Sequence, residues 1–432
     1  MNQRLNRWFQ IDEHNSTIKK EMMAGMVAFF TIVYIVIVNA AILSDAGIPL
    51  VAGIIATVFV SFLGSMIMGL WANAPILLVP GMGINAMFVY TFVHSMGLMW
   101  QEALAVVVLS GVIFCVIAFT KLAPIITESI PTSLKEAIAV GIGIFLTFIG
   151  LQQGGLVISD ESTFVTLGNI SEANVIVTIV TLFVAVTLFI RQVPGNFLIS
   201  IVFGTVLAYF LGVLGTGEAT SMSLAPYGEV FFGFSFSSWM TIAFMAATFS
   251  LVMVIVFENI GLIHGHLNMV GAPHKYKRTL QANAVSVLSC GFLGTSPTVA
   301  TVESAAGIAA GGRTGLTTIT TGFLFLGSLF FIPFITMIPP SAIAPVLIII
   351  GGLMMQNIQK INLNDFSEGF PAFLVIVLIP LTYSIADGIA FGFVAYPLLK
   401  LLLGKRRELN TPLVIISTLF FLNFVLQIWS GG

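Results

Sequence analysis

The sequence predicts an all-α membrane protein with fourteen membrane spans. Of its 432 residues, 58% are hydrophobic and only 8% are charged, whereas soluble domains carry about 25% charged residues. Apolar runs of about 20 residues, the length of a membrane-spanning helix, recur from residue 22 to residue 403. The net charge of -2 gives no basic surface for nucleic acid. We therefore expect the lipid bilayer, and no nucleic acid, as a partner.

The apolar segments are separated by Gly, Pro or charged residues. The first seven lie at approximately 22–43, 49–70, 75–95, 101–120, 132–150, 174–190 and 195–213. The next seven lie at approximately 239–263, 279–293, 297–311, 316–337, 341–357, 369–384 and 387–403. The first segment is longer than the apolar part of a signal peptide, so we expect it to remain as a span.

The basic residues support this assignment of spans. If the N-terminus is cytoplasmic and the spans alternate, all 16 Lys and Arg residues fall on the cytoplasmic side, where membrane proteins concentrate them. The opposite loops contain acids such as Asp45, Glu161 and Asp387. We therefore predict a multi-pass protein of the plasma (inner) membrane with a cytoplasmic N-terminus.

Two sets of seven spans predict a 7+7 inverted repeat, because an odd number of spans reverses the orientation of the second half. Ile130-Pro131 opens span 5, and Ile338-Pro339 opens span 12 in the same way. Whether the hydrophobic segment 412–429 crosses the membrane is left open. The predicted regions are an N-terminus (1–21), a first repeat (22–213), an external loop (214–238), a second repeat (239–403), and a C-terminal basic cluster with a hydrophobic segment (404–432).

Spans 3 and 10 differ from the others, because Gly and Pro interrupt both near their starts. Span 3 contains Pro80-Gly81-Met82-Gly83, and Gly294-Thr295-Ser296-Pro297 opens span 10. Irregular backbone at membrane depth persists only where it is buried in protein or lines a cavity. A matched pair of interrupted spans indicates a substrate site. The alternative is that Gly and Pro are simply common in membrane helices.

Two acids lie inside the predicted spans, Glu258 in span 8 and Glu303 in span 10, and no Lys or Arg is deep enough to pair with them. A carboxylate at the centre of a membrane helix costs on the order of 3 kcal/mol, so such residues usually bind a ligand or carry a proton. The alternative is a neutral acid that bonds backbone carbonyls for packing. Two carboxylates suit a planar heterocycle with N–H donors, such as a purine, and nearby helix N-termini supply amides for its acceptors.

Weaker candidates surround the two interrupted spans. Asn85 follows Gly83, and Ser296 and Thr298 precede Glu303. The sequence has no metal-ligand spacing, nucleophile elbow or phosphate-binding loop. We therefore expect neither an enzyme nor a cofactor.

Several motifs resemble one family. The run from Gly294 to Thr298, continued by Val302-Glu303-Ser304-Ala305-Ala306-Gly307, is similar to the span-10 signature of the AzgA-like purine permeases. These belong to the xanthine/uracil permease superfamily, the second class of nucleobase–cation symporters. Pro80-Gly81-Met82-Gly83-Ile84-Asn85-Ala86 resembles the family's span-3 motif, and Thr31-Ile32-Val33-Tyr34-Ile35 resembles its span-1 motif. The resemblance covers nearly the whole chain.

The resemblance implies a core of spans 1–4 and 8–11, a gate of spans 5–7 and 12–14, and short strands in spans 3 and 10. It implies a secondary active transporter that takes up purine nucleobases (adenine, guanine, hypoxanthine or xanthine) with protons as the coupling ion. Glu258 and Glu303 would bind the base and couple the proton. Asn85 would support the site, and backbone amides around Val79 and Thr298 would complete it. Relatives often dimerise through the gate, which leaves a homodimer open.

The chain also departs from the family. Glu258-Asn259 stands where typical members have aspartate followed by Thr, and Leu262 stands where some uracil transporters have a proton-coupling His. A uracil or other small-solute carrier and an uncoupled facilitator therefore remain as alternatives. Sulfate and bicarbonate carriers share the implied fold, but they favour a positively charged centre, which this sequence lacks.

Overall fold

A computed structural model describes residues 8–214 and 225–430 of the chain. The described residues are mostly helical and include two small antiparallel sheets. Three parts of the predicted regions lie outside the described residues. These are 1–7 of the N-terminus, 215–224 of the external loop and 431–432 at the C-terminus.

The first half of the chain contains nine α-helices and three strands in its described part. Wider π-helical turns at Met68–Ala72 and Met87–Ser95 extend the third and fourth helices. In chain order the elements are α1 Ile18–Ile32, α2 Ile35–Asp45, α3 Leu50–Ile67, β1 Leu78–Pro80, α4 Met82–Ala86, α5 Trp100–Phe119, α6 Leu122–Ser129, α7 Thr132–Gln153, β2 Val157–Asp160, β3 Phe164–Leu167, α8 Ala173–Ile190 and α9 Asn196–Phe210.

The second half begins in the described residues with a short helix and then repeats the pattern of long helices around one strand. The turn Met355–Lys360 continues the helix before it. In chain order the elements are α10 Ala225–Val230, α11 Ile242–Val270, α12 Tyr276–Leu293, β4 Thr298–Ala300, α13 Ser304–Ala309, α14 Gly315–Ser328, α15 Ile332–Ile335, α16 Pro340–Met354, α17 Phe366–Thr382, α18 Ile385–Leu402 and α19 Thr411–Ser430.

Helical stretches with the length and composition of membrane spans account for much of the described chain. Three shorter apolar helices accompany them, at Asn196–Phe210, Phe366–Thr382 and Thr411–Leu422. Within residues 8–214 and 225–430, nine stretches are long and apolar enough to cross a membrane: Ile18–Asp45, Leu50–Ala72, Trp100–Phe119, Thr132–Gln153, Ala173–Ile190, Ile242–Val270, Gly315–Ile335, Pro340–Lys360 and Ile385–Leu402.

The third and tenth predicted spans are not continuous helices. Each consists of a three-residue strand, β1 or β4, followed by a short helix, α4 or α13. The strands pair antiparallel with Leu78 opposite Ala300 and Pro80 opposite Thr298, and every residue of both strands is buried. Their pairing satisfies backbone groups that would each cost several kcal/mol if left unpaired in an apolar interior. The two interrupted segments therefore meet inside the protein.

Helices α7 and α16 contact each other through facing glycines. A Cβ added to Gly351 would lie 2.2 Å from the carbonyl oxygen of Gly143, and one added to Gly143 would lie 2.7 Å from the carbonyl oxygen of Gly351. Backbones approach this closely only through small residues, which membrane helices use for packing. These helices are the fifth and twelfth predicted spans, so equivalent members of the two halves are in contact.

Candidate functional site

A cavity of about 480 Å³ lies beside the paired strands. One wall comes from the α1–α2 junction, the β1–α4 segment, α11 and the β4–α13 segment, and the opposite wall comes from α7, α16 and the turn after α16. Small-molecule sites typically enclose roughly 300–1,000 Å³. Both Glu258 and Glu303 line this cavity, so the two acids singled out in the sequence are brought together.

Glu303 reaches the cavity from the residues that join β4 to α13. The hydroxyl of Tyr34 donates a hydrogen bond to Glu303 Oε1 over 2.6 Å. Tyr34 lies at the break between α1 and α2, is 2% exposed and also lines the cavity. The sequence did not mark Tyr34 as a site residue. The available signal was that a Tyr hydroxyl in an apolar span needs a hydrogen-bond partner.

Glu258 reaches the cavity from the middle of α11. Its carboxyl accepts no hydrogen bond from any side chain or amide in the described part of the chain. The next residue, Asn259, donates to the carbonyl of Ile255 over 2.8 Å and accepts from the amide of Ala300 over 2.9 Å. Asn259 therefore joins α11 to β4 and fixes the face of α11 from which Glu258 projects.

Asn85 and Ser296 lie behind the strands and do not line the cavity. Asn85 is fully buried, and its amide group donates to the carbonyl of Asn39 over 3.3 Å. Its Oδ1 has no hydrogen-bond partner among the described residues. The hydroxyl of Ser296 donates to Oδ1 of Asn39 over 3.3 Å. Asn39 therefore links both residues into one buried polar cluster, and their contact with a substrate stays a prediction.

Thr298 and Val79 belong to the strands themselves. The hydroxyl of Thr298 lies 2.8 Å from that of Ser286, and its amide donates to Cys290 Sγ over 3.3 Å. Val79 is fully buried opposite Val299. Neither Thr298 nor Val79 lines the cavity. The sequence predicted that amides around them would contact a substrate, and this stays a prediction.

Two short helices begin at the cavity. Met82 and Gly83, the first residues of α4, line it, as do Val302 and Glu303 just before α13. The first amides of a helix have no partner within the helix and carry a partial positive charge. In α13 the amides of Ser304 and Ala305 already donate to the carbonyls of Thr301 and Val302. Backbone donors beside the two carboxyls therefore come from Met82 and Gly83 at the start of α4.

The cavity reaches the surface near the N-terminal end of α7. Lys135 and Glu136 line it there, together with Asn357 and Lys360 from the turn after α16. Lys360 Nζ lies 3.4 Å from Glu136 Oε2, and the Lys360 side chain is 59% exposed. We call this end the mouth.

Hydrogen bonds join several helices at the other end of α7, roughly 25 Å from the mouth at 1.5 Å per helical residue. Tyr90 donates to Asp45 Oδ2 over 2.7 Å, and Gln153 donates to the same oxygen over 3.4 Å. The hydroxyl of Tyr383 donates to Gln152. These contacts join the π-helical turn after α4 to α2, α2 to α7, and α7 to the end of α17. Hydrogen bonds therefore tie the helices together at the end opposite the mouth.

A family model described as the Permease family matches residues 19–391. The chain belongs to the Permease family. It is 50% identical over 383 residues to the nucleobase transporter PlAzg2 of Paenibacillus larvae, which covers 88% of this chain and 77% of that protein. It is 38% identical over 426 residues to the guanine/hypoxanthine permease PbuO of Bacillus subtilis, which covers 96% of this chain and 99% of that protein.

Among solved structures, the chain is similar to the transmembrane domain of the cyanobacterial bicarbonate transporter BicA. The TM-score is 0.66 at 16% identity, covering 85% of this chain and 96% of that chain. This likeness concerns the fold alone. The family and the relatives confirm the resemblance to AzgA-like purine permeases. They also confirm that the chain is a multi-pass membrane transporter and not an enzyme.

Proposed function

We propose that this permease takes up purine nucleobases together with protons and that the cavity is its substrate site. The observation that carries the proposal is the pair of carboxyls, Glu258 and Glu303, in one cavity beside the N-terminus of α4. The relatives at 50% and 38% identity are a nucleobase transporter and a guanine/hypoxanthine permease. A purine carries both N–H donors and ring acceptors, so it complements this set of groups.

The charges of the cavity favour a neutral base over an anion. Lys135 and Lys360 belong to the lining, but they lie at the mouth on the first turn of α7 and after α16. The acids lie at the strands, where an anion would be repelled. N–H groups of the base would donate to Glu258 and Glu303, and the amides of Met82 and Gly83 would donate to its ring nitrogens or carbonyls. Asn85 and Ser296 would support the site, and backbone amides around Val79 and Thr298 would complete it.

A carboxyl in an apolar cavity is also suited to carry the coupled proton, because a neutral acid avoids the cost of a buried charge. In this scheme Glu258 or Glu303 takes up a proton with the base on the outer side and releases it in the cytoplasm. No cofactor is needed. A facilitator without coupling and a uracil carrier on the same scaffold are the alternatives.

The proposed arrangement is fourteen spans in a 7+7 inverted repeat, with a core of spans 1–4 and 8–11 and a gate of spans 5–7 and 12–14. Two observations support it: the cavity walls come from these two sets, and α7 contacts its counterpart α16 through facing glycines. The N-terminus would be cytoplasmic in the plasma membrane, so the mouth beside Lys360 would face the cytoplasm. A homodimer through the gate is compatible with this arrangement.

Uptake in cells that lack their own nucleobase carriers tests the proposal. Radiolabelled adenine, guanine, hypoxanthine, xanthine and uracil would be compared with and without a protonophore. We expect a protonophore to abolish purine uptake and Glu258→Gln to reduce it at least about tenfold, because the Gln amide cannot carry a proton and removes one acceptor for the base. Glu172→Gln, which changes an exposed acid before α8, is the control and should transport normally.

Each other outcome rejects part of the proposal. Purine uptake that persists with the protonophore would indicate a facilitator, and uptake of uracil alone would indicate a different substrate class. If protein shown to reach the membrane takes up no nucleobase, the substrate assignment is wrong.

A further inference from the structure

Tyr34 is held in place from both ends of its side chain. Its ring packs edge-on against Phe197 of α9, with 5.1 Å between ring centroids and 74° between the planes. Its hydroxyl donates to Glu303 Oε1 over 2.6 Å. Because the ring is almost fully buried, it has little freedom to adopt another rotamer. The direction of the hydroxyl is therefore fixed.

Glu303 has a rigid backbone but a flexible side chain. The next residue, Ser304, accepts a hydrogen bond from the amide of Leu77 over 3.0 Å, which anchors the start of α13 beside β1. The Glu303 carboxyl lies three torsions away from that anchor, and ordering such a side chain costs conformational entropy. The Tyr34 hydroxyl orders it before any substrate arrives, and an acceptor ordered in advance binds more tightly.

We infer that Tyr34 is a positioning residue. Its hydroxyl binds Oε1 of Glu303, so that Oε2 remains as the acceptor for a substrate N–H. This inference rests on the proposed function, because it assigns a role within the same cavity. Glu258 has no such partner among the described residues. The two acids are therefore not equivalent. Glu303 presents one acceptor oxygen in a fixed orientation, whereas the Glu258 carboxyl is free to change its hydrogen-bond partner.

Tyr34→Phe tests the role of the hydroxyl, because it keeps the ring against Phe197. We expect the substrate concentration for half-maximal uptake to rise about tenfold, since the Glu303 carboxyl loses the hydrogen bond that orders it before the substrate binds. The maximal rate should stay within about twofold, because the remaining site is intact. Tyr227→Phe is the matched control. It removes a buried hydroxyl that donates to the carbonyl of Leu293 over 3.2 Å, away from the cavity, and it should leave both values unchanged.

A double-mutant cycle on purified protein separates an action through Glu303 from a general effect on the fold. Equilibrium binding of labelled hypoxanthine or guanine, whichever the wild type transports, would be measured for Tyr34→Phe, Glu303→Ala and the double variant. If Tyr34 acts through Glu303, Tyr34→Phe weakens binding in the wild type and changes it less than about twofold in the Glu303→Ala background. If Glu303→Ala binds no substrate, the uptake result for Tyr34→Phe decides alone.

Two results would overturn the inference. One is a Tyr34→Phe variant whose half-saturating concentration equals that of the wild type, or whose loss lies only in the maximal rate. The other is an equal loss of binding in both backgrounds. Absence of purine transport by the wild type would instead reject the proposed function, so the two failures can be told apart.

Discussion

Asn259 stabilises the site without lining the cavity. Its side chain accepts from the amide of Ala300 and donates to the carbonyl of Ile255, so one residue joins β4 to the helix that carries Glu258. The residue is fully buried. An amide side chain suits this position, because it supplies an acceptor and a donor at once.

We predict that Asn259→Leu lowers the stability of the protein and weakens purine binding. The amide of Ala300 would be left unpaired in an apolar interior, at a cost of about 1–3 kcal/mol. Thermal unfolding of the purified protein and equilibrium binding are the measurements. Asn268→Leu, at an exposed position near the end of the same helix, is the control. Equal unfolding temperatures for the two variants would contradict this role.

The sequence could identify some of these residues and not others. Glu258 and Glu303 could be predicted, because a charge in an apolar span stands out. Tyr34 and Asn259 were missed as site residues, because uncharged polar groups are tolerated in spans and their partners are 269 and 41 positions away. Asn85 was predicted from its motif to support the site. Its amide group donates to the carbonyl of Asn39, and its contact with a substrate stays a prediction.

At the scale of elements, the contact between α7 and α16 depends on glycine. Gly143 and Gly351 face each other so closely that a methyl group on either would meet the opposite backbone. The neighbouring Gly352 has no heavy atom within 4 Å of an added Cβ. Of these two adjacent glycines, Gly351 is tightly packed against α7, whereas Gly352 has open space around it.

We predict that Gly351→Ala destabilises the protein, whereas Gly352→Ala does not. Overpacking typically costs about 1–3 kcal/mol, whereas Ala at an open helical position gains about 1 kcal/mol over Gly. The unfolding temperature in detergent and the fraction of monodisperse protein would be compared for the two variants. A Gly351→Ala variant as stable as Gly352→Ala would show that α7 and α16 are not packed as described.

Helices and interrupted spans could be predicted from the sequence where the local pattern of residues was clear. Long apolar runs predicted the helices, and Gly and Pro marked the two interrupted spans. The register of β1 against β4 could not be read locally, because strand pairing depends on how the two halves approach each other. The contact between the facing glycines could not be predicted from the sequence either, because Gly is common in membrane helices. Only the structure distinguishes Gly351 from Gly352.

At the scale of the whole molecule, the described part of the cavity opens at the mouth. Lys135, Glu136 and Lys360 surround it, whereas hydrogen bonds from Tyr90, Gln153 and Tyr383 join helices at the opposite end. A transporter that alternates between two sides must open that second end in another conformation. Core and gate meet at this end through the hydrogen bond from Gln153 to Asp45 and the one from the Ile385 amide to Thr91, so movement of one against the other would break these two contacts.

The central claim is that purine movement through this cavity is driven by protons. Purified protein in liposomes with an imposed pH gradient tests it most directly, because no other carrier is present. We predict that an acidic outer medium drives the labelled purine to accumulate above its external concentration, and that collapsing the gradient abolishes the accumulation. Equal purine entry with and without the gradient, reaching only the external concentration, would contradict proton coupling and leave a facilitator.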